Sequence, residues 1–527
     1  MSSASRGGGR IARSTGILAL STSLSRLLGF VRDILMARLF GTTLQAQAFV
    51  VAFRLPNLLR DLVAEGAVTS AFVPVLSWYR AKGQSEEFWR LSQALGTRLL
   101  VLLGVLGLLG WWGAGGIVRL VAPGFAADPE KLALTVRLTR LLFPFITLVG
   151  LWAYFMGILN SLRHFTMPAL GPAILNLAMI AACLWFVPRT SPGIVALALA
   201  VIIGGVIQLA IQVPVAARLG FRWRWRWAHP GAREIMRLLG PRMVGSAVYQ
   251  ASVVVDTALA SVGSVVGEGA VAALYFANRL VQLPLAVFGT ASAQASLPAL
   301  SEHAAHHDWA KFRSMLLSVM RMVGFVIVPS AVGLIVLAQP ITVGLFERGA
   351  FDHRSSLMTS QALMCYALGL FAYALSKVLS GAFYALRQTR IPVRLAAEAV
   401  AVNIALSLAL MWPLQVSGLA LAAALSNSLN AYRLLRHLER QLKGSLLAPM
   451  SRALGRMLLA SCLMGLGVRL LWQATAVLVP GWLGIMLAIL LGVVLYGLAC
   501  HLLGIEELST ILRWCPKLPL IQRFVSE

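Results

Sequence analysis

Charge sits where an apolar chain should not hold it. One segment reads Ser25-Arg26-Leu27-Leu28-Gly29-Phe30-Val31-Arg32-Asp33. A second reads Arg54-Leu55-Pro56-Asn57-Leu58-Leu59-Arg60-Asp61 and continues to Glu65-Gly66. A third, Asn278-Arg279-Leu280-Val281-Gln282-Leu283-Pro284, lies far downstream. Each is set in apolar sequence long enough to cross hydrocarbon as a helix. An arginine near the bilayer centre costs about 2.5–3.5 kcal/mol even on the lenient insertion scale, so several facing lipid would cost roughly 10 kcal/mol. These residues must therefore face a water-filled cavity or acidic partners. Asp33, Asp61 and Glu65 can neutralise some of them in buried pairs, but arginines outnumber acids. The net interior charge is positive, and a guanidinium fork matches phosphate oxygens in bidentate fashion. The chemistry this predicts is recognition of an anionic, phosphorylated substrate.

Geometry constrains that reading. Arg26 and Arg32 are six residues apart and diverge by about 120° on a straight helix, as do Arg54 and Arg60. Gly29 and Pro56 lie between the members of each pair, where a bend would turn both toward one cavity. Asp256, alone in Val253-Val254-Val255-Asp256-Thr257, is a candidate ion or proton site. Asn403 and Ser407, at i and i+4, can add oxygens to it. Pairing of Asp256 with an arginine of the cavity is an equal alternative. Lys377 and Glu398 are similar intramembrane charges with weaker claims. His303, His306 and His307 read as a solvated polar loop beside Glu302 and Asp308 rather than a metal site. There is no Walker A sequence, which excludes ATP hydrolysis by that route.

The elements that must hold these residues are membrane helices. The chain has 527 residues, of which 59% are hydrophobic and 12% charged, and its mean hydropathy is +0.80. Soluble chains carry about 25% charged residues, and a single soluble core stops growing near ~250–300 residues. The fold class predicted is an all-α polytopic membrane protein. About fourteen spans can be drawn, at 16–40, 44–78, 91–120, 133–158, 166–187, 193–217, 236–263, 269–300, 312–346, 356–385, 391–412, 415–435, 453–475 and 479–503. With the N-terminus inside, the inner loops hold Arg80, Lys82, Arg90, Arg163, Arg218, Arg222, Arg224, Arg226, Arg233, Lys311, Arg313, Arg387, Arg390, Arg433, Arg436, Arg440, Lys443 and Arg452. The outer loops are poor in Lys and Arg, so the positive-inside rule places both termini in the cytoplasm. The net charge of +26 then reflects topology rather than nucleic-acid binding. The segment Phe221-Arg222-Trp223-Arg224-Trp225-Arg226-Trp227 reads as an interfacial stretch, with Trp at the headgroups and Arg toward anionic lipid. Met1 to Arg13 reads as a cytoplasmic tail rather than a cleavable signal. Five scattered cysteines, without ligand spacing, argue against a disulfide framework.

The chain also repeats itself. Gly157-x4-Leu162-Arg163-x4-Pro168 recurs as Gly381-x4-Leu386-Arg387-x4-Pro392, an offset of 224. Ala71-x2-Pro74-x-Leu76-Ser77 recurs as Ala295-x2-Pro298-x-Leu300-Ser301 at the same offset of 224. Two parallel six-helix lobes plus two C-terminal helices follow, with substrate expected where the repeats meet. The divisions are a tail at 1–15, a first lobe at 16–220, a basic and Trp-rich linker at 221–235, a second lobe at 236–443, two added helices at 444–505 and a tail at 506–527.

Several motifs resemble the MurJ (MviN) lipid II flippases of the multidrug/oligosaccharidyl-lipid/polysaccharide exporter superfamily. They are Ser25-Arg26-x2-Gly29-Phe30-x-Arg32-Asp33, Ala48-Phe49-x2-Ala52-Phe53-Arg54-Leu55-Pro56-Asn57-Leu58-Leu59-Arg60, Glu65-Gly66-Ala67, Ala71-Phe72-Val73-Pro74 and Tyr275-x2-Asn278-Arg279-Leu280-x-Gln282-Leu283-Pro284. The resemblance implies a V-shaped, two-lobed transporter in the bacterial inner membrane, not an enzyme. Its substrate would be lipid II, the undecaprenyl-pyrophosphate-linked peptidoglycan precursor, carried outward by alternating access. Arg26, Arg32, Arg60 and Arg279 would engage the pyrophosphate head. Ser25, Asp33, Arg54, Asn57, Glu65, Asn278 and Gln282 would complete the substrate site, and the last two helices would line a groove for the polyprenyl tail. The partners implied are lipid II, membrane lipids and the cell-wall synthesis machinery. No cofactor is implied beyond a driving force. Some members bind sodium, and Asp256 and Asn403 match two of their ligands while Ser407 replaces the third; the membrane potential is the alternative. Gln47, Asn278 and Gln282 stand where some members carry acids, which weakens a proton relay here. Competing readings are a flippase for another polyprenyl-pyrophosphate oligosaccharide, or a non-transporting membrane scaffold. A cation exporter would want an acidic cavity, and a membrane glycosyltransferase would want paired carboxylates.

Overall fold

The computed structural model describes residues 3–60, 72–475 and 481–514, with side chains described from residue 21 onward except at 59, 60, 236, 238–249, 475, 481 and 511–514. Every regular element among the described residues is helical. The chain forms two compact units, Met1–Gly263 with Arg348–Phe351, and Ser264–Glu347 with Asp352–Glu527.

The first unit holds α1 (Ser3–Phe40), α2 (Leu44–Arg60), α3 (Val73–Ala81), α4 (Ser85–Trp112), α5 (Ala114–Val121), α6 (Pro129–Leu142), α7 (Pro144–Ser161), α8 (Thr166–Ala181), α9 (Ile194–Arg218) and α10 (Pro230–Ala260). A short turn, α11 (Gly263–Val266), opens the second. It continues with α12 (Ala270–Pro284), α13 (Ala291–Ala305), α14 (Trp309–Val336), α15 (Ala338–Phe346), α16 (His353–Leu368), α17 (Leu370–Ala385), α18 (Arg390–Leu442), α19 (Leu447–Thr475), α20 (Gly481–Leu502) and α21 (Glu506–Trp514). Nine described helical segments are long and apolar enough to cross a membrane, and the pair α16–α17, bent by 44°, makes a tenth. Within the part of α1 whose side chains are described, residues 21–40, Arg26, Arg32, Asp33 and Arg38 interrupt the apolar run.

The longest element is a hairpin. Helix α18 breaks at Gln415, whose φ of 50° and ψ of −129° are not helical, two residues after Pro413. A Cβ on Gly418 would lie 2.2 Å from the Leu410 carbonyl oxygen. Farther out, Ser426 Oγ donates to Asn403 Oδ1 at 3.5 Å, Arg433 pairs with Glu398 at 2.7 Å, and Gln441 donates to Gln388 at 2.7 Å. Residues 53 apart cannot meet on a straight helix, which rises about 1.5 Å per residue. The two legs therefore lie antiparallel, as the expected spans 391–412 and 415–435 require.

The repeat is written into the backbone. Helices α4 and α14 begin at Ser85 and Trp309 and end at Trp112 and Val336, each pair 224 residues apart. Arg163 and Arg387 both take left-handed φ values, 62° and 59°. The next residues close the same cap, His164 N–H donating to Leu159 O at 2.8 Å and Gln388 N–H to Phe383 O at 2.9 Å. Gly83 and His307 form a second such pair, at φ 71° and 54°. These are the paired hydrogen bonds that satisfy a helix's last carbonyls. Asp128 and Asp352 cap α6 and α16, accepting from Lys131 N–H and Ser355 N–H.

In the second unit α19 packs along α14. Tyr496 Oη of α20 donates to the Phe325 carbonyl of α14 at 2.9 Å. Arg321 of α14 reaches Glu506 and Glu507 at 3.5 and 4.0 Å, tying down α21.

Candidate functional site

Helix α1 presents its two arginines to different surroundings. Arg32 is 7% exposed and Asp33 2%. Arg32 Nε and Nη2 donate to Asp33 Oδ1 at 3.0 and 2.7 Å, and Arg32 Nη1 donates to Asn176 Oδ1 at 2.9 Å. Asn176, on α8, uses its own Nδ2 to donate to the Ser25 carbonyl at 2.9 Å. Gly29 makes the approach possible: a Cβ there would stand 3.3 Å from Asn176 Nδ2. Arg32 and Asp33 thus belong to the frame that holds α1 on α8. Arg26 is exposed, and among the described residues nothing pairs with it. The helix is continuous through Gly29, so the divergence of a straight helix separates the two guanidiniums.

Helix α2 carries the next group. Arg54 Nη1 donates to the Val253 carbonyl at 3.4 Å and to Thr257 Oγ1, linking α2 to α10 within the first unit. Asn57 Oδ1 is buried and has no hydrogen-bond partner among the described residues. Arg60 is the last residue of α2, with its side chain outside the description; Asp61 and Glu65 lie outside the described residues. Asp256, next to Thr257, is half-buried on α10.

On α12 the polar residues share one face. Arg279 Nη2 donates to Tyr275 Oη at 3.2 Å, and Nη1 donates to Gln282 Oε1 at 3.3 Å. Gln282 Nε2 donates to Asn278 Oδ1 at 3.4 Å. The guanidinium lies 4.9 Å from the Tyr275 ring centroid, a cation–π distance. Asn278 and Gln282 are exposed and Arg279 half-buried. This arrangement aligns a cation and two amides, a set suited to oxyanions and sugar hydroxyls.

Asn403 and Ser407 sit inside the α18 hairpin, 4% and 0% exposed. Ser407 Oγ is buried and has no hydrogen-bond partner among the described residues. They belong to the second unit and Asp256 to the first. Among the described residues no three His, Cys, Asp or Glu side chains are grouped as a metal site. Sequence reasoning missed Asn176, and it quoted Thr257 and Tyr275 within motifs without giving them a role. A lone amide in the apolar run of 166–187 was the available signal for Asn176, since an unpaired intramembrane amide is costly.

Residues 36–492 match the family described as lipid II flippase MurJ. The lipid II flippase MurJ of Burkholderia cenocepacia is 36% identical over 381 residues, covering 71% of this chain and 73% of that one. A solved structure of lipid II flippase MurJ in an inward closed conformation superposes with a TM-score of 0.78 at 25% identity, covering 92% of this chain and 98% of that chain. An inward-facing multidrug resistance MATE family transporter of the MOP superfamily shares the fold, with a TM-score of 0.67 at 15% identity over 80% of this chain and 94% of its own. With a matched segment that takes in α2 to α18 and most of both units, the chain is a multi-pass membrane transport protein, not an enzyme, and belongs to the lipid II flippase MurJ family.

Proposed function

We propose that the chain carries lipid II from the cytoplasmic to the outer leaflet of the bacterial inner membrane by alternating access of its two units, with both termini in the cytoplasm. The observation that carries the reading is the contrast on α1. Arg32 is neutralised by Asp33, whereas Arg26 is an exposed guanidinium on a helix of a membrane protein. Such a charge costs about 2.5–3.5 kcal/mol in hydrocarbon and is supported by an anionic ligand or by cavity water. On this reading Arg26, Arg60 and Arg279 engage the pyrophosphate, Asn278 and Gln282 the attached sugars, and α19 and α20 the polyprenyl tail. Ser25, Asp33, Arg54, Asn57 and Glu65 support them, Arg32 acting through its pair. Cell-wall synthesis enzymes are the partners such a product would meet.

The test is complementation. Depletion of a host's own lipid II flippase is rescued by the wild-type chain, while Arg26→Ala and Arg279→Ala reach the membrane and fail. Failure of well-inserted wild type would move the substrate to another polyprenyl pyrophosphate. For the drive, an anion moving toward a positive outside gains about 2.3 kcal/mol per charge per 100 mV. Collapsing the potential in sealed vesicles stops flipping if that is the source. Persistence of flipping with a strict sodium requirement would instead select Asp256, Asn403 and Ser407 as ligands.

A further inference from the structure

The segment between α9 and α10 is an extended strap whose main chain is fastened along α4. Gly220, at φ 106°, turns the chain out of α9. Phe221 is then buried against Phe155 and Trp89, with ring centroids 5.4 and 6.1 Å away. From there three side-chain-to-backbone hydrogen bonds follow the helix. Gln93 Nε2 donates to the Arg222 carbonyl at 2.7 Å, the Arg226 N–H donates to Thr97 Oγ1 at 3.3 Å, and Arg98 Nε donates to the Trp227 carbonyl at 2.6 Å. The far end is pinned by His229, whose Nδ1 accepts from Gly231 N–H at 3.1 Å and whose Nε2 lies 3.0 Å from Glu87 Oε2.

The fastening uses the backbone and leaves Arg222, Trp223, Arg224, Trp225 and Trp227 exposed and Arg226 half-exposed. The aromatic row emerges along the strap: Phe221 is 6% exposed, Trp223 36%, Trp225 62% and Trp227 58%. Between them stand Arg222, Arg224 and Arg226, and among the described residues none of the three makes an ion pair. Glu87, the acid held against this segment, is engaged by Arg90 and His229. A ribbon fastened by its main chain, with exposed indoles and guanidiniums outside any ion pair among the described residues, matches one environment well. Indole rings settle at the headgroup level, and guanidiniums near that plane are drawn to anionic phosphates.

We infer that this strap is a binding site for anionic phospholipid headgroups, with Arg222, Arg224 and Arg226 on the phosphates and Trp225 and Trp227 seated among the headgroups. The strap holds α4 to the start of α10, so lipid bound there acts on a joint of the first unit. The site uses none of the candidate residues of α1 and α2, and it does not depend on the identity of the transported lipid.

The test uses the full-length chain in vesicles of phosphatidylcholine mixed with phosphatidylglycerol, with bromine placed on the acyl chains of one lipid at a time. The emission difference between wild type and Trp225→Phe/Trp227→Phe isolates the two indoles. Brominated phosphatidylglycerol is expected to quench that difference more than an equal fraction of brominated phosphatidylcholine, and raised salt should shrink the preference. The variant Arg222→Gln/Arg224→Gln/Arg226→Gln keeps the main-chain fastening, and its preference should fall by about fivefold per arginine at low salt. Equal quenching by both lipids would overturn the proposal. Absence of quenching by either would also overturn it, by placing the strap in water. Loss of the preference on adding soluble pyrophosphate would overturn it in favour of a site for free phosphate groups. Size-exclusion profiles of the variants check that each remains folded.

Discussion

Replacing Asp33 by leucine leaves Arg32 buried beside α8 with its carboxylate gone. The pair is nearly sealed, its side chains 8% and 3% exposed, and two of the three guanidinium nitrogens donate to the same carboxylate oxygen. Removing one partner of such a pair costs about 3–5 kcal/mol, because the remaining charge stays buried. Removing both, as in Arg32→Met/Asp33→Leu, exchanges an ion pair for apolar volume and is close to neutral. What remains is the orphaned Asn176 oxygen, at about 1–3 kcal/mol. The double variant should therefore recover part of what the single loses, and adding Asn176→Leu should recover more. Stepwise heating of purified protein in detergent, followed by size exclusion, ranks the variants. Complementation then asks a second question: a frame role for Arg32 predicts that restored stability restores growth. An Asp33→Leu cost within about 0.5 kcal/mol, the range of surface changes, would refute the buried pair. A double variant no more stable than the single would refute the compensation argument.

Three further outcomes follow from other contacts. Thr257→Val removes a hydroxyl that accepts from Arg54 and should cost about 1.5–3 kcal/mol, the range for hydrogen bonds to charged groups, measured by thermal unfolding. Gly418→Ala places a methyl 2.2 Å from the Leu410 carbonyl oxygen and 2.6 Å from its carbon; main chain cannot step aside, so we expect at least the roughly 1–3 kcal/mol of overpacking, and a neutral result would contradict the hairpin turn. Asp308 caps α14 through Lys311 N–H at 3.1 Å. The hydrogen-bonded Lys311 ammonium, 2.9 Å away, holds its carboxyl below the usual carboxylate range. A lowered carboxyl stabilises the fold above its unfolded pKa and loses that contribution as pH falls through the folded value. Amide protection in the first turn of α14, corrected for the intrinsic exchange rate at each pH, should therefore fall below about pH 4, and Asp308→Asn should remove that pH dependence of the protection.

Much of the helical layout was legible because length and apolarity are sufficient signals for spans in hydrocarbon. The break near 413–417 could be read from Pro413 and the polar Gln415 between two apolar runs. The 224-residue offset was visible in two short motifs, and the structure extends it to helix ends, capping aspartates and left-handed turns. The candidate site was legible by residue type and not by pairing. Arg26 and Arg32 look alike in sequence, and a bend at Gly29 was the expected way to bring them together. The helix runs through Gly29 instead, and the glycine serves to admit Asn176. That choice depends on a side chain 144 residues away from Arg32, which no local spacing encodes. The strap reads as interfacial from its composition, but its fastening to Gln93, Thr97 and Arg98 uses main-chain groups that carry no sequence signature.

The α18 hairpin bears on how the chain is made. A nascent helix entering the bilayer alone must bring each charged side chain across unaccompanied, at a penalty of a few kcal/mol for each. In α18 the acid Glu398 pairs with Arg394 of its own leg at 3.0 Å and, once the turn at Gln415 has formed, with Arg433 of the second leg at 2.7 Å. The amide of Asn403 likewise meets Ser426 only across the legs. Biosynthesis is thus favoured if the two legs leave the insertion machinery together, with these contacts across the turn already made. Lengthening the turn, or truncating the chain after the first leg, would leave Glu398 with Arg394 alone and Asn403 without Ser426 at the moment of entry, and should lower the yield of inserted protein even where the mature fold could accommodate the change.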